Sequence, residues 1–334
     1  MKIDAGLTAT AKDAAPAARA LEEQGFDAAW TFEAPRDPFF PIVLASQVTE
    51  RIELGTSVAI AFARNPMICA NIGHDLQEIT GGRFILGLGS QIKPHIERRF
   101  SQPWSRPAAR MREFVQAIRA IWAAWNEGER LEHRGEFYTH TLMTPAFSPG
   151  VNPYGPPRIF VAGVGPKMVG VAGEVADGFF VHPFHSPGFI EAETLPALEG
   201  GLDAAGRSRA DLEVSCPTIA AAGSNDEEIA TARRKAKGQI SFYGSTRAYK
   251  GVLDFHGYEA LQPELNRMSK AGKWAEMSEH IDDRLFDLLA VSGTPAEVGA
   301  KIRARNEGFA DRTTLILYNE TEPGAVKDII AAAR

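Results

Sequence analysis

The sequence predicts an α/β fold, a (β/α)8 TIM barrel with insertions, and three observations carry that reading. Strand-like and helix-like segments alternate along the chain with few exceptions. The strand-like segments number eight, which favours closure over an open sheet, and their alternation with helices implies parallel pairing through right-handed crossovers. The length of 334 residues exceeds the roughly 250 of a plain barrel and leaves room for additions. No internal repeat, low-complexity tract or linker divides the chain, so residues 1–334 are expected to form a single domain.

The candidate strands cover residues 2–7, 27–33, 52–60, 84–90, 158–164, 178–183, 212–220 and 313–319. Between them lie helical patterns with readable ends. Asn65-Pro66 reads as a cap followed by a first-turn proline, and Gly81-Gly82 follows a last helical turn. Between residues 105 and 128, Met111, Phe114, Val115, Ile118, Ile121, Trp122 and Trp125 recur at intervals of three and four and form one buried helix face. Two segments exceed ordinary connections. Residues 129–157 are rich in Pro, Gly and aromatics, and residues 244–292 carry Tyr, His and Trp with little clean periodicity. Both are expected to fold over one end of the barrel, and function concentrates at the C-terminal ends of the strands.

Composition narrows the function. A hydrophobic content of 44% is ample for a large core, and a net charge of -6 without basic runs speaks against nucleic acid or an anionic membrane as partner. No apolar stretch approaches the roughly 20 residues needed to cross a bilayer. The chain starts Met1-Lys2-Ile3-Asp4 and enters a strand at once, so no targeting segment is expected. Cys69 and Cys216 fit no metal or redox spacing and read as buried core, in keeping with a reducing compartment and a cytoplasmic protein.

The most informative stretch is Gly81-Gly82-Arg83-Phe84-Ile85-Leu86-Gly87-Leu88-Gly89-Ser90, an apolar run ending in small residues. It suits a barrel strand whose far end approaches a ligand, since glycine lets a flat cofactor or a phosphate meet the backbone directly. It is not a dinucleotide fingerprint: the third glycine position holds Ile92, and no acidic strand end follows about 20 residues later. The other strand ends are Trp30-Thr31-Phe32-Glu33, Thr56-Ser57-Val58-Ala59 and Val181-His182-Pro183, and in a barrel all of them converge on one pocket.

Three motifs make the chain resemble the luciferase-like flavin and deazaflavin barrel superfamily, and within it the oxidoreductases that use coenzyme F420. They are Leu54-Gly55-Thr56-Ser57-Val58 running on to Arg64-Asn65-Pro66, the Gly82–Gly89 stretch, and Ala162-Gly163-Val164-Gly165-Pro166 leading to Ala172-Gly173-Glu174-Val175-Ala176-Asp177-Gly178. The resemblance covers nearly the whole chain in element order. It implies coenzyme F420 as cofactor, with FMN as the rival, a small-molecule substrate, and a homodimer.

Carried over by position, the resemblance implies a cis non-prolyl peptide at Ser57-Val58, forming a bulge that supports the bent deazaflavin ring. It places Ser90 and Gln91 along the ring, and Gly165, Pro166, Lys167 and Met168 at the turn whose amides bind the cofactor phosphate. The last assignment also stands on physical grounds, because Gly165-Pro166 opens a helix whose free amide donors and positive dipole end suit an anion.

The chain also departs from the family. In the sugar-phosphate dehydrogenase branch an acid at the second strand end is followed by histidine, and a glutamate follows the fourth strand; here those positions read Glu33-Ala34 and Ile92. Three residues are candidates for the missing proton-transfer group: Glu33 at a strand end, His95 in the loop after the fourth strand, and His182 at the end of the sixth. His182 and His185 are spaced as a metal pair, but no third ligand is positioned with them, so no metal is expected. The expected activity is hydride transfer between coenzyme F420 and a small organic substrate, by alcohol oxidation or reduction of an activated double bond. The alternatives are an FMN-dependent monooxygenase of the same superfamily and a barrel that only binds a ligand.

Overall fold

Every one of the eight expected strands forms, and together they close a parallel ring. The computed structural model describes residues 1–334. Around the barrel run Lys2–Gly6, Ala28–Thr31, Glu53–Thr56, Phe84–Gly89, Arg158–Ala162, Gly178–Phe180, Glu213–Ser215 and Arg312–Leu317, and pairing of Lys2 with Arg312 shuts the circle. Helices including Ala14–Gln24, Pro66–Ile79, Pro107–Asn126, Pro166–Val175, Pro295–Asn306 and Pro323–Ala333 surround it. Their ends follow the sequence signals. Asn65 Oδ1 accepts from the Met67 amide at 2.9 Å ahead of Pro66, and Gly81 and Gly82 take φ of +64° and +87° after the same helix ends. The helix Pro107–Asn126 buries all seven expected apolar residues.

The barrel interior is filled in levels. At the N-terminal end, Arg312 meets Asp4, Glu53 and Glu213, and Arg158 joins the same two glutamates. Above this ionic layer, Trp30, Phe160 and Phe180 pack together, with Val58 and Ala162 against them. Glycines make room for these rings. A Cβ at Gly55 would lie 2.6 Å from Trp30, and one at Gly178 would lie 2.4 Å from Phe160. The lower two levels are therefore sealed, and a ligand has access only from the C-terminal mouth.

This packing corrects the sequence reading of Gly87 and Gly89. A Cβ at Gly87 would come within 1.7 Å of the Thr56 carbonyl oxygen and 2.8 Å of Phe180, and one at Gly89 would come within 2.5 Å of Val58. Both glycines admit neighbouring protein atoms, not a cofactor.

Two expected strands are interrupted. Residues 52–60 divide into Glu53–Thr56 and Ala59–Ile60 around a cis Ser57-Val58 bond, and residues 212–220 divide into Glu213–Ser215 and Thr218–Ala222 around Cys216-Pro217. Pro217 lacks the amide that would carry the ladder through. An additional strand, Ala290–Gly293, pairs with Thr218–Ala222.

The two insertions also part ways. Residues 129–157 lie along helix Pro107–Asn126 instead of over the mouth: Glu113 accepts the amides of Glu136, Phe137 and Tyr138, and Asn126 accepts that of Asn152. The second insertion is no irregular loop. Its helices Lys250–Phe255, Leu261–Lys270 and Asp283–Leu289 pack with the long helix Asp226–Gly244 around a separate apolar cluster that includes Phe184, Leu253, Leu265 and Phe286. This cap brings Tyr243 and Tyr249 against His182 at the end of the sixth strand. No helix is long and apolar enough to cross a membrane.

Candidate functional site

The third-strand bulge forms one wall of the mouth. The Ser57 amide donates to the Thr31 carbonyl at 2.6 Å, the Val58 carbonyl accepts from the Glu33 amide at 3.2 Å, and the Val58 side chain rests on the aromatic level below. Ser90 and Gln91 continue the fourth strand beside it. Gln91 has a φ of +58°, and its side-chain oxygen accepts from the Ile92 amide at 3.0 Å, so it shapes its own loop.

Gly165 caps helix Pro166–Val175, the turn that sequence reasoning assigns to a phosphate; Pro166 has no amide hydrogen and the Met168 amide donates to the Gly165 carbonyl at 3.0 Å, so the Lys167 amide is the one in the first helical turn without a backbone partner. A Cβ at Gly165 would meet nothing within 4 Å, so the approach to the turn is open. Gly165, Pro166, Lys167 and Met168 border a cleft of about 940 Å³ that runs between the start of helix Pro107–Asn126, with Arg106 and Arg112, and helix Leu195–Ala204, with Ala197 and Gly201. Arg112 forks onto Glu174, Arg106 pairs with Glu136, and Lys167 is exposed with no acidic partner. Sequence reasoning missed both arginines. They lie more than fifty residues from the turn, and only the folded barrel brings them beside it.

The three proton-transfer candidates separate. Glu33 is held by Arg64 and by the Ile60 amide at 2.7 Å, both on the same oxygen, and its side chain is 7% exposed. Arg64 also reaches Asp37 at 3.0 Å. Glu33 thus fastens the segment after the bulge, and the partner residue was visible in the sequence only as part of the Arg64-Asn65-Pro66 motif. His95 is exposed on the short helix Lys93–Arg98, not in a loop.

His182 is the candidate that the fold immobilises. Its ring stacks on Tyr249 at 3.9 Å between centroids and meets Tyr243 edge-on at 4.9 Å. The Phe184 amide donates to its Nδ1 at 3.1 Å, which fixes the ring proton on Nε2. Burial pushes the imidazolium down to about 3, so the ring is neutral at physiological pH. His185, weighed with it as a metal pair, donates through Nδ1 to the His182 carbonyl at 2.9 Å. Each Nδ1 is engaged within the loop, which leaves no chelating pair through those atoms.

A parallel barrel with a bulged third strand, a glycine-capped helix after the fifth strand and a helical cap defines a class of α/β barrels, and comparison with known proteins gives the family. The luciferase-like monooxygenase model matches residues 2–312. The chain belongs to that family. It is 51% identical over 312 residues to an uncharacterised protein of Mycobacterium tuberculosis, covering 93% of this chain and 92% of that one. It is 30% identical over 291 residues to the 5,10-methylenetetrahydromethanopterin reductase of Archaeoglobus fulgidus, covering 84% and 82%. The structure of the coenzyme F420 dependent tetrahydromethanopterin reductase from Methanopyrus kandleri shares the fold with a TM-score of 0.81 at 19% identity, covering 98% and 96%. The same fold also holds FMN in a solved complex.

Proposed function

We propose that the protein is a coenzyme F420-dependent oxidoreductase that transfers hydride between the deazaflavin and a small organic substrate. The observation that carries this reading is the open turn at Gly165–Met168, with a free Lys167 amide, a Lys167 ammonium without an acidic partner and an adjoining cleft wide enough for a phosphate-bearing ligand. The 30% identical reductase supports the deazaflavin over FMN, since its activity shares its name with an F420-dependent enzyme of the same fold.

The residues fit such a group. The Lys167 amide and ammonium would hold the phosphate, and the Val58 bulge, with Ser57, Ser90 and Gln91, would support and border the ring. When bound, a deazaflavin supplies a two-electron hydride carrier that reacts poorly with oxygen. The chain orients both partners, keeps one face dry against the sealed aromatic level, and presents His182 at the mouth.

Calorimetric titration of the purified protein with coenzyme F420 and with FMN tests the reading. Tighter binding of F420 is expected, and the reverse order would favour the monooxygenase alternative. Failure to bind either would leave a barrel without the proposed chemistry.

A further inference from the structure

His182 has one free polar atom. Its Nδ1 accepts from Phe184, one ring face lies on Tyr249 and an edge meets Tyr243, while Nε2 has no protein partner and is not among the enclosed unpartnered atoms. The strand below sets its direction. Phe179 and Val181 point outward into the main core and Phe180 points into the barrel, so the alternation carries His182 to the inner side of the mouth, above Phe180.

The loop bearing His182 is pinned from three sides. Arg305 donates to the His185 carbonyl at 2.8 Å and to the Leu288 carbonyl at 2.9 Å, His185 donates to the His182 carbonyl, and Ser186 Oγ meets His256 Nε2 of the cap at 2.7 Å. Arg305 has no carboxylate partner, and its charge is spent on backbone carbonyls of this loop and of helix Asp283–Leu289. The groups facing His182 are Tyr243 and Tyr249 from the cap, and Phe184 and His185 from its own loop, with Arg305 behind His185; none carries a free charge toward the ring.

We propose that His182 presents a fixed, neutral Nε2–H donor to the oxygen of an uncharged ketone or secondary alcohol bound at the mouth, with Arg305 and His185 as the residues that position it. The inference rests on the oxidoreductase reading above for its reaction, but not for its hydrogen bond. An ionic substrate head would lose its hydration here without gaining a partner, whereas a carbonyl oxygen needs only one donor. The donor polarises the carbon–oxygen bond and keeps its own proton, because Nδ1 is occupied and the ring has no proton to spare; the proton that the oxygen gains on reduction, or loses on oxidation, is exchanged with water at the mouth. His182 therefore acts by orientation and polarisation, not as the general acid that its residue type suggested.

Cyclohexanone labelled with 13C at the carbonyl is the probe, and 4-oxocyclohexanecarboxylate is its charged counterpart. Infrared and NMR spectra of the labelled ketone on the protein should show a lower carbonyl stretching frequency and a downfield carbonyl shift. His182→Phe should abolish both changes, His182→Gln should retain part of them, and Arg305→Met should broaden them. Nitrogen-15 NMR of the native protein should show the Nε2–H tautomer throughout pH 5 to 8, a reading that needs no variant. Absence of a bound-ketone signal, an unchanged signal in His182→Phe, tighter binding of the carboxylate, or a titrating imidazole would each overturn the proposal. Coenzyme titration, run separately, tells failure of the F420 reading apart from failure of this hydrogen bond.

Discussion

Arg312 donates to both oxygens of Asp4, at 2.7 and 3.2 Å, and neither side chain is exposed. The pair joins the last strand to the first, so the same contact that neutralises a buried charge also fastens the closure of the barrel. Removing the guanidinium strands Asp4 and weakens the hold on Glu53 and Glu213. Arg312→Met should therefore destabilise the fold by about 3–5 kcal/mol, read from urea unfolding. A variant within 1 kcal/mol of the native protein, by order of magnitude, would show that the network is dispensable.

Acid stability has two destabilising windows of the same sign, opposed in part by Asp4, whose carboxyl burial raises to about 6. Burial lowers His182 and His185 each to about 3, so between the ordinary histidine range and that value the unfolded chain binds protons that the native state refuses. Stability should fall as the pH drops below about 6.5. Burial alone would raise Glu53, but the Arg312 and Arg158 guanidiniums bring it down to about 2 from 4.5, adding a second loss as the pH falls through that interval. Replacing His182 with Phe should reduce the upper slope and leave the lower one, and Glu53→Gln should do the converse. Denaturation midpoints across pH 3 to 7 check the pair, and an unchanged upper slope in His182→Phe would contradict the burial argument.

Two glycines in the motifs have opposite surroundings. Gly165 faces open space, so Gly165→Val should leave the melting temperature nearly unchanged while crowding the anion turn and weakening coenzyme binding. Gly87 faces the Thr56 carbonyl and Phe180, so even Gly87→Ala should cost about 1–3 kcal/mol through forced backbone shifts. Thermal melts and calorimetry on both variants separate the roles. Equal coenzyme affinity in Gly165→Val would move the phosphate elsewhere.

The barrel was legible because its signals are local. Alternation of apolar strands and amphipathic helices fixes the ring, and Asn65-Pro66 and Gly81-Gly82 mark the ends of a helix by their own backbone preferences. Local backbone features of the candidate site were legible only where a motif carried them, as at Ser57-Val58, which is cis in the fold, and at Gly165-Pro166, which opens its helix. What escaped depends on distant partners. Nothing near Glu33 in sequence announces Arg64, and nothing near His182 announces Tyr249, because each pair is made by elements that meet only after closure. The cap escaped for a similar reason: its helices bury their faces on each other and on Asp226–Gly244, so no single stretch shows a clean stripe against the barrel.

The three titratable candidates should now part in kinetics. His182→Phe keeps the stacking on Tyr249 but removes the Nε2–H donor, so it should lower kcat by about 10²–10³-fold on a substrate found by screening, with coenzyme affinity preserved. Glu33→Gln loosens Arg64 and the Ile60 amide behind the bulge, and should weaken coenzyme binding and lower the melting temperature more than it slows the chemical step. His95→Ala, on an exposed helix, should change turnover by no more than about twofold, since it removes no partnered contact. Steady-state kinetics with separate coenzyme titrations distinguish the three. A large kcat loss in His95→Ala, or none in His182→Phe, would place the working residue somewhere other than the end of the sixth strand.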